Sequence, residues 1–431
     1  MRNQLKIRLW NAKKLPKDWF KRAQALDESV ENDVKAVISE VRKNGDFALA
    51  KFTLKFDKAK VTPENLRVTP EEIQAAYGKI TVEQVNALKL MKEKVSAFEK
   101  LSLKERGITN SNEGIIVKNM FFPIESVGCY VPGGQAAYPS TVVMTTVPAK
   151  IAGVPRIVVC SPPDKDGSQN PLVAVAADIC EVSEIYKVGG VQAIAALAYG
   201  TEMIKPVRKI VGPGNKYVTM AKILVSKDVA IDMPAGPSEV LVLADETAIP
   251  KFVAADMISQ AEHGSDSVAG LITTSKKVAD EVGDWLTKMA ASAERLDIIQ
   301  KSLQAHSFII TCETNDEMIR LANIFAPEHL EIMMQNSFES VKRVTSAGLI
   351  LIGPYSPVTL SDYGSGTNHV LPTGEFAHAF SGLSALDFIR RVSVVESTKE
   401  GLLALKNHVK VLTEAENLPN HYKAVETRFE E

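Results

Sequence analysis

Between residues 128 and 352 the chain alternates short apolar segments with helix-like segments, and this alternation constrains the fold more than any other feature. Short apolar strands that alternate with helices are typical of a parallel sheet covered on both faces. The pattern falls into two successive regions, 128–238 and 239–380. Their similar order suggests an old duplication, although the residues themselves show no clear internal repeat. We therefore predict an α/β fold with two Rossmann-like, doubly wound parallel-sheet domains.

The two flanking regions differ from this central part. Residues 1–127 are rich in lysine and glutamate and carry helical patterns, the first of which spans 26–43 and is followed by Gly45 as a stop. We predict a helical N-terminal region that packs on the second α/β domain. Residues 381–431 are predicted to form a helical tail that docks on a partner subunit, with helices over 386–392 and 401–415.

The composition excludes several classes of partner. With 50 basic and 52 acidic residues the net charge is -2, so no strong field attracts nucleic acid or an anionic membrane. A hydrophobic content of 45% is ordinary for a folded chain of two or three domains. Residues 1–10 lack the apolar core of a signal peptide, and no uncharged run reaches the length of a membrane span. We expect a cytoplasmic protein that binds a small neutral or zwitterionic molecule.

The cysteines are widely scattered and form no Cys-x-x-Cys pair; they are Cys129, Cys160, Cys180 and Cys312. Because no basic residue beside them would stabilise a thiolate, we favour buried, inert thiols over a nucleophile. A thiolate mechanism stays open at this point.

A helix predicted over 250–263 places Gln260 and His263 three residues apart, opposite the apolar stripe of the helix. Both side chains could then reach one metal ion or ligand, with Gly264 ending the helix behind them. The alternative is a solvated face, with His263 placed against the negative end of the helix. On this segment alone the solvated face is favoured, because most surface histidines bind nothing.

Glu328 and His329 follow Pro327 and precede an apolar strand. In a turn after proline both side chains can face one cleft. Glu328 would then polarise a water molecule, and His329 would transfer protons near neutral pH. A capping glutamate beside a packed histidine is an equally supported alternative.

A polar, glycine-rich loop over 361–369 follows the last strand of the second series. Ligands of doubly wound folds bind beyond the carboxyl ends of the strands, so the loop is suitably placed for a site. Asp362 is a candidate metal ligand and His369 a candidate substrate contact. An ordinary turn is the alternative, but the length of the loop disfavours it.

Three glycine-containing loops end strands of the first series, at 131–134, 188–192 and 212–215. Glycine permits a close approach of the backbone to a phosphate or a planar ring. Each loop is a weak signal alone, but together they outline one edge of a ligand site. Neither series has a Gly-x-Gly-x-x-Gly turn after its first strand, so that fingerprint identifies no nucleotide site.

Four polar residues suit a metal site without thiolates: Gln260, His263, Asp362 and His421. Imidazole and carboxylate groups bind zinc and related divalent ions, although a glutamine oxygen is an unusual ligand. The four residues lie in three distant segments, so their spacing does not prove a site.

Four segments together carry a specific resemblance. In order, they read Ile-Asp-Met-Pro-Ala-Gly-Pro-Ser-Glu (231–239), Ser-Gln-Ala-Glu-His-Gly (259–264), Pro-Glu-His (327–329) and Ser-Gly-Thr-Asn-His-Val-Leu-Pro (365–372). With these segments the chain resembles the histidinol dehydrogenases over nearly its whole length. That family oxidises L-histidinol to L-histidine with NAD through an aldehyde-level intermediate, in the final steps of histidine biosynthesis.

The resemblance implies a role for each matching residue. Glu328 would activate water, and His329 would be the acid–base residue. One zinc ion per subunit would be held by Gln260, His263, Asp362 and His421. The substrate would be contacted by Ser238, Gln260, His263, His329, Asp362, His369, Glu416 and His421. NAD would be contacted by Tyr130, Gln192 and Asn215, without a glycine fingerprint.

The resemblance also implies a homodimer with shared active sites, in which Glu416 and His421 of one subunit complete the site of the other. His378 lies in a segment that varies among relatives and receives no role.

Two other functions remain to be weighed. A non-catalytic small-molecule-binding dimer with the same fold is disfavoured by the presence of Glu328, His329 and all four ligand positions. A related zinc- and NAD-dependent dehydrogenase of another small alcohol, such as a sulfonated one, is disfavoured by His369 and Glu416, which suit an amino-alcohol with an imidazole ring.

Overall fold

The structure is a computed structural model that describes residues 7–22, 28–104, 109–133 and 137–430. Gly134, in one of the glycine loops, and Leu26, at the predicted start of the first helix, lie outside the described residues. Within these ranges the strands are β1 (Arg8–Asn11), β2 (Thr109–Asn112), β3 (Ile115–Pro123), β4 (Ser126–Tyr130), β5 (Arg156–Ser161), β6 (Glu184–Lys187), β7 (Lys209–Val211), β8 (Ala230–Ile231), β9 (Glu239–Ala244), β10 (Val268–Thr273), β11 (Phe308–Thr311), β12 (His329–Met333), β13 (Leu349–Ile352) and β14 (Ile389–Ser397).

The helices of the same ranges separate and flank these strands. They are α1 (Glu28–Phe56), α2 (Pro70–Tyr77), α3 (Val82–Ser102), α4 (Pro139–Ile151), α5 (Pro171–Ile179), α6 (Gly190–Tyr199), α7 (Lys216–Val225), α8 (Pro250–Ala261), α9 (Lys276–Ala290), α10 (Leu296–Ala305), α11 (Asn315–Phe325), α12 (Ser337–Val341), α13 (Val358–Tyr363), α14 (Lys399–Ala415) and α15 (Pro419–Glu426). None of the helices in the described part of the chain is both long and apolar enough to cross a membrane.

Two parallel sheets form the centre of the molecule. The first has the strand order β6-β5-β4-β7-β8, and the second has the order β1-β11-β10-β9-β12-β13. Counted within each series, both sheets have the order 3-2-1-4-5, and β1 adds one parallel strand at the edge of the second. The central strands β4 and β9 are buried along their whole length, as expected for sheets covered on both faces. The predicted pair of Rossmann-like, doubly wound domains is confirmed.

The N-terminal helices pack on the first α/β domain, so the prediction that they cover the second one is wrong. Helix α1 lies on α6 and α7, α2 on α5, and α3 on α4. A periodic pattern identifies the apolar face of a helix but not the neighbour that covers it. The segment around β1 joins the second sheet, where Trp10 stacks on Phe308 and Trp19 on Phe325.

Gly45 kinks α1 but does not end it. Its backbone adopts φ 47° and ψ -131°, outside the helical region, and the helix then resumes as far as Phe56. Gly45 was therefore correctly predicted to interrupt the helix, but it produces a kink and the helix does not end there.

A third, antiparallel sheet of order β14-β3-β2 joins the N-terminal region to the tail. Strand β14 pairs with β3 from Ile389 opposite Pro123 to Ser397 opposite Ile115. The prediction of a helix over 386–392 is wrong from Ile389 onward, because the run of isoleucine, valines and serines favours an extended strand. Residues Ala385–Phe388 form a short 3-10 helix before it. Beyond it, α14 and α15 pack on each other.

Candidate active site

A cavity of about 760 Å³ is lined by residues of both α/β domains. The first sheet contributes the loop that follows the carboxyl end of β7, including Gly214 and Asn215. The second sheet contributes the amino ends of its strands, because Ser238 precedes β9 and His329 begins β12. The expectation that ligands sit beyond the carboxyl ends therefore fits the first sheet and is wrong for the second.

Most of the predicted site residues meet in this cavity. Its lining includes Asn215, Ser238, Gln260, His263, Glu328, His329, Asp362 and His369. They come from loops and helix ends that are far apart in the sequence, so the tertiary fold is what brings them together.

His329 is held in one orientation at the start of β12. It is buried, with 4% of its surface exposed, and its Nδ1 lies 3.1 Å from the backbone oxygen of Glu239. A carbonyl oxygen can only accept, so Nδ1 carries the hydrogen and Nε2 of the neutral ring is the base. That Nε2 atom is buried and has no hydrogen-bond partner within the described residues.

Two carboxylates surround this imidazole. Glu328 Oε2 lies 3.6 Å from His329 Nδ1, and Asp362 Oδ1 lies 4.0 Å from His329 Nε2. Burial alone would lower the pKa of His329, but the charges of Glu328 and Asp362 outweigh burial and raise it above its ordinary value. The arrangement suits a histidine that takes up a proton and then passes it on.

Asp362 lies on α13, not in a loop, and is buried with 8% of its surface exposed. Burial raises the pKa of this carboxyl, while His329 and His263 act to lower it. His369 lies near the same carboxylate oxygen, with its Nδ1 4.0 Å from Asp362 Oδ1. Burial, reinforced by His329, lowers the pKa of His369 to about 4, so its ring is neutral at physiological pH.

Gln260 and His263 come from the end of α8. The prediction that Gln260 shares a solvated face is wrong, because only 2% of its surface is exposed. Its Nε2 atom is buried and has no hydrogen-bond partner in the described part of the chain. Buried amides are normally satisfied, so this one points to a group that binds in the cavity. His263 is exposed and lines the same cavity.

The fourth proposed metal ligand lies elsewhere. His421 is on α15 and Glu416 ends α14, and both are exposed and absent from the lining of the cavity. Within the described residues no group of three or more His, Cys, Asp or Glu side chains is arranged to hold a metal ion. The subunit by itself thus brings together three of the four proposed ligands, one of which is an amide.

The residues proposed to contact NAD lie at the carboxyl edge of the first sheet. Asn215 lines the cavity, and its Oδ1 accepts hydrogen bonds from the first turn of α7. Tyr130 is buried and is not among the residues that line the cavity, and its hydroxyl accepts a hydrogen bond of 3.1 Å from the Gly190 backbone. The amide of Gln192 is fully buried, and neither its oxygen nor its nitrogen has a partner among the described residues.

A buried ion pair fixes the backbone of the adjoining loop. Lys222 donates a hydrogen bond of 2.9 Å to the oxygen of Gly212, and the nitrogen of Gly212 donates one of 2.8 Å to Asp232. Lys222 and Asp232 also pair directly, with 2% and 1% of their side chains exposed. One sequence signal of this pair is a lysine among the buried residues of α7.

Replacing Lys222 with methionine is expected to lower the free energy of unfolding by about 3 kcal/mol, because Asp232 would stay buried without its partner. Urea unfolding followed by circular dichroism measures the change. Lys276→Met is the matched control, since Lys276 pairs with Asp280 on the surface and the unfolding midpoint should not move. An unchanged midpoint for Lys222→Met would show that the pair does not hold the loop.

The four cysteines are all buried. Burial raises the pKa of the Cys129 and Cys312 thiols to about 12, and the pKa values of Cys160 and Cys180 are raised by the same cause. None of them is a thiolate at physiological pH, in agreement with the inert thiols favoured from the sequence.

These features are typical of an α/β enzyme with two Rossmann-like domains and a cavity between them that is lined by carboxylate and imidazole groups. The sequence profile of the histidinol dehydrogenases matches residues 20–429. The histidinol dehydrogenase of Methanothermobacter thermautotrophicus is 45% identical over 408 residues, which cover 95% of each chain. That of Methanocaldococcus jannaschii is 46% identical over 409 residues, covering 95% of this chain and 94% of the relative.

A solved structure agrees with these relatives. The crystal structure of histidinol dehydrogenase from Elizabethkingia anophelis superposes with a TM-score of 0.93 at 38% identity and covers 98% of both chains. The chain belongs to the histidinol dehydrogenase family, the NAD-dependent oxidoreductases of histidine biosynthesis. The resemblance read from the four sequence segments is thereby confirmed.

Proposed function

We propose that this chain oxidises L-histidinol to L-histidine with NAD in the cavity between the two sheets. The observation that carries the proposal is the meeting of Gln260, His263, Glu328, His329, Asp362 and His369 in one cavity of a histidinol dehydrogenase fold. A site that contains both a free imidazole base and a separate carboxylate can serve two successive oxidations.

The conversion of an alcohol to a carboxylate removes four electrons, as two hydrides, and consumes one water molecule. In the first oxidation His329 Nε2 takes the proton of the substrate hydroxyl. In the second, Glu328 draws a proton from water as the water oxygen attacks the aldehyde carbon. Glu328 Oε2 already accepts a backbone hydrogen bond of 2.7 Å, which leaves Oε1 for the water. Two NAD molecules, bound in turn, would each accept one hydride, and three protons are released overall.

NAD would be held at the carboxyl edge of the first sheet by Tyr130, Gln192 and Asn215. The unsatisfied amide of Gln192 supports this assignment, because a buried amide without a partner normally has one in the working complex. Ser238 and His369 face the cavity from the opposite side, where they would contact the substrate.

The donor set of the cavity fits one zinc ion per subunit. Gln260, His263 and Asp362 offer an amide oxygen, an imidazole nitrogen and a carboxylate oxygen, and zinc accepts such N and O ligands. Bound zinc would orient the imidazole and amino group of the substrate. His421 would supply the fourth ligand from the partner subunit.

A homodimer with shared sites accounts for the exposed tail. Helix α14 exposes Leu403 and Val411, and β14 exposes Val395, with more than half of each side chain accessible. Exposed apolar groups of this kind mark a surface that another chain covers, and a second copy of the chain would bring Glu416 and His421 to the cavity.

The test of the proposed function is the stoichiometry of the reaction. With L-histidinol and excess NAD, the purified protein is expected to form two molecules of NADH for each histidine. Absorbance measures NADH, and chromatography measures histidine. A protein that reduces NAD with a sulfonated alcohol but not with histidinol would be the related dehydrogenase instead. A protein that binds histidinol without forming NADH would be a binding protein.

A further inference from the structure

We infer that Glu239, held by Arg22, is a positioning residue that fixes both Glu328 and His329; the inference rests on the proposed function. Glu239 is the first residue of β9, and Arg22 precedes α1. Glu239 ends the 231–239 segment of the resemblance but received no role there, and Arg22 lies in none of its segments. The two are buried as a pair, with 1% and 8% of their side chains exposed.

The side chain of Glu239 accepts four hydrogen bonds. Its Oε1 atom accepts from Arg22 Nε at 2.6 Å and from the Gly374 nitrogen at 2.9 Å. Its Oε2 atom accepts from Arg22 Nη2 at 3.2 Å and from the Glu328 nitrogen at 3.3 Å. Burial raises the pKa of this carboxyl while Arg22 lowers it. Because all four groups that contact its oxygens are N–H donors, the site requires the ionised form.

The backbone of Glu239 contacts the two proposed catalytic side chains directly. Its nitrogen donates a hydrogen bond of 2.7 Å to Glu328 Oε2. Its oxygen lies 3.1 Å from His329 Nδ1 and thereby sets the tautomer of the ring. One residue therefore orients the carboxylate that would activate water and the imidazole that would accept the substrate proton.

Arg22 extends this arrangement to the end of α11. Its Nη2 atom donates to the oxygens of Phe325 at 2.5 Å and Ala326 at 3.3 Å, and its guanidinium lies 3.5 Å from the centre of the Phe325 ring. These carbonyls end the helix that leads into Glu328. The ion pair thus fixes the approach to the catalytic segment as well as its side chains.

A role in stability alone does not account for the pair. Removing two charges from water costs several kcal/mol each, and well-packed apolar residues in the same place are often as stable or more so. The contacts of Glu239 converge on Glu328 and His329, where a small change of position has a large effect on rate. Glu239→Gln replaces one acceptor oxygen with a donor group that faces two N–H donors, at almost unchanged volume.

The experiment compares Glu239→Gln with Glu184→Gln. Glu184, at the start of the edge strand β6 of the first sheet, pairs with Arg156 in the same two-pronged geometry, at 2.8 and 2.9 Å. It lies outside the cavity. We expect Glu239→Gln to lower kcat for histidinol by about 10- to 100-fold, with KM changed less than about threefold. Glu184→Gln should retain both constants. Metal content and melting temperature are measured for each variant.

The values of kcat and KM decide whether Glu239 positions the proposed catalytic residues. An unchanged kcat in folded Glu239→Gln, or a rise in KM without a fall in kcat, would overturn the positioning role. If that variant does not fold, Arg22→Lys decides: a lysine keeps the charge but not the two-pronged geometry, so kcat should fall, and an unchanged kcat would refute the inference. Wild-type protein that does not oxidise histidinol would overturn the proposed function itself, and the inference with it.

Discussion

Replacing His329 with asparagine is expected to lower kcat for histidinol oxidation by about 10²- to 10⁴-fold, the usual contribution of a general base. The asparagine amide can still donate to the oxygen of Glu239, as Nδ1 of the histidine does. What it lacks is the base at the position of Nε2, the buried atom that faces the cavity without a partner in the described structure. The loss corresponds to about 3–5 kcal/mol of transition-state stabilisation.

NADH formation with saturating histidinol and NAD measures this loss, and the metal content shows whether the site is otherwise intact. His378→Asn is the matched control, because His378 also bonds through Nδ1, to Ser346 at 3.0 Å, and lies outside the cavity. It should retain wild-type kcat. If His329→Asn keeps a kcat within a few-fold of wild type, another group must accept the substrate proton.

The sequence predicted the two parallel sheets well because each strand is a short apolar run with a local signal. The prediction from sequence failed where an element's structure depends on residues far away in the chain. The region 386–392 was expected to be helical, but its partner β3 lies more than 260 positions earlier, and pairing over that distance leaves no trace in helical periodicity. Likewise, the periodicity of α1 indicates which face of the helix is apolar, but it does not show that this face packs on α6 and α7.

The candidate site could be predicted from the sequence only as separate pieces. Gln260 looked solvated because its own helix places it opposite the apolar stripe, whereas the structure buries it against the cavity. No spacing rule places α8, β12 and α13 around one cavity. The resemblance supplied that information, and the structure then placed Gln260, His263, Glu328, His329, Asp362 and His369 together.

The residues that the sequence missed share one property. Glu239 is the one charged residue of the buried strand β9, and Lys222 is the one charged residue on the buried face of α7. Burying a charge is costly unless a partner is present, so each such residue predicts an unseen counterion. Asp232 and Arg22 are those counterions in the structure. A charged residue on the apolar face of a strand or helix is therefore a sequence signal that points to Glu239 and Lys222, although it does not identify their partners.

The position of His421 leads to the sharpest test of the quaternary structure. His421 lies on exposed α15, outside the cavity that contains His329. If each site combines His329 of one subunit with His421 of the other, His329→Ala and His421→Ala impair complementary parts. A heterodimer of the two variants then has one site with both defects and one site with none.

Co-expression of these two inactive variants is therefore expected to restore about a quarter of wild-type activity, since half of the randomly assembled dimers each contain one intact site out of two. NADH formation by the mixed preparation, compared with each variant alone, measures the recovery. Glu328→Gln co-expressed with His329→Ala is the matched control, because both changes lie in the same segment and no intact site can form. If the first pair also stays inactive while heterodimers are present, His421 acts within its own subunit or not at all. Recovery in the first pair alone would mean that the exposed tail completes the neighbouring site, because no arrangement within one subunit yields an intact site from these two chains.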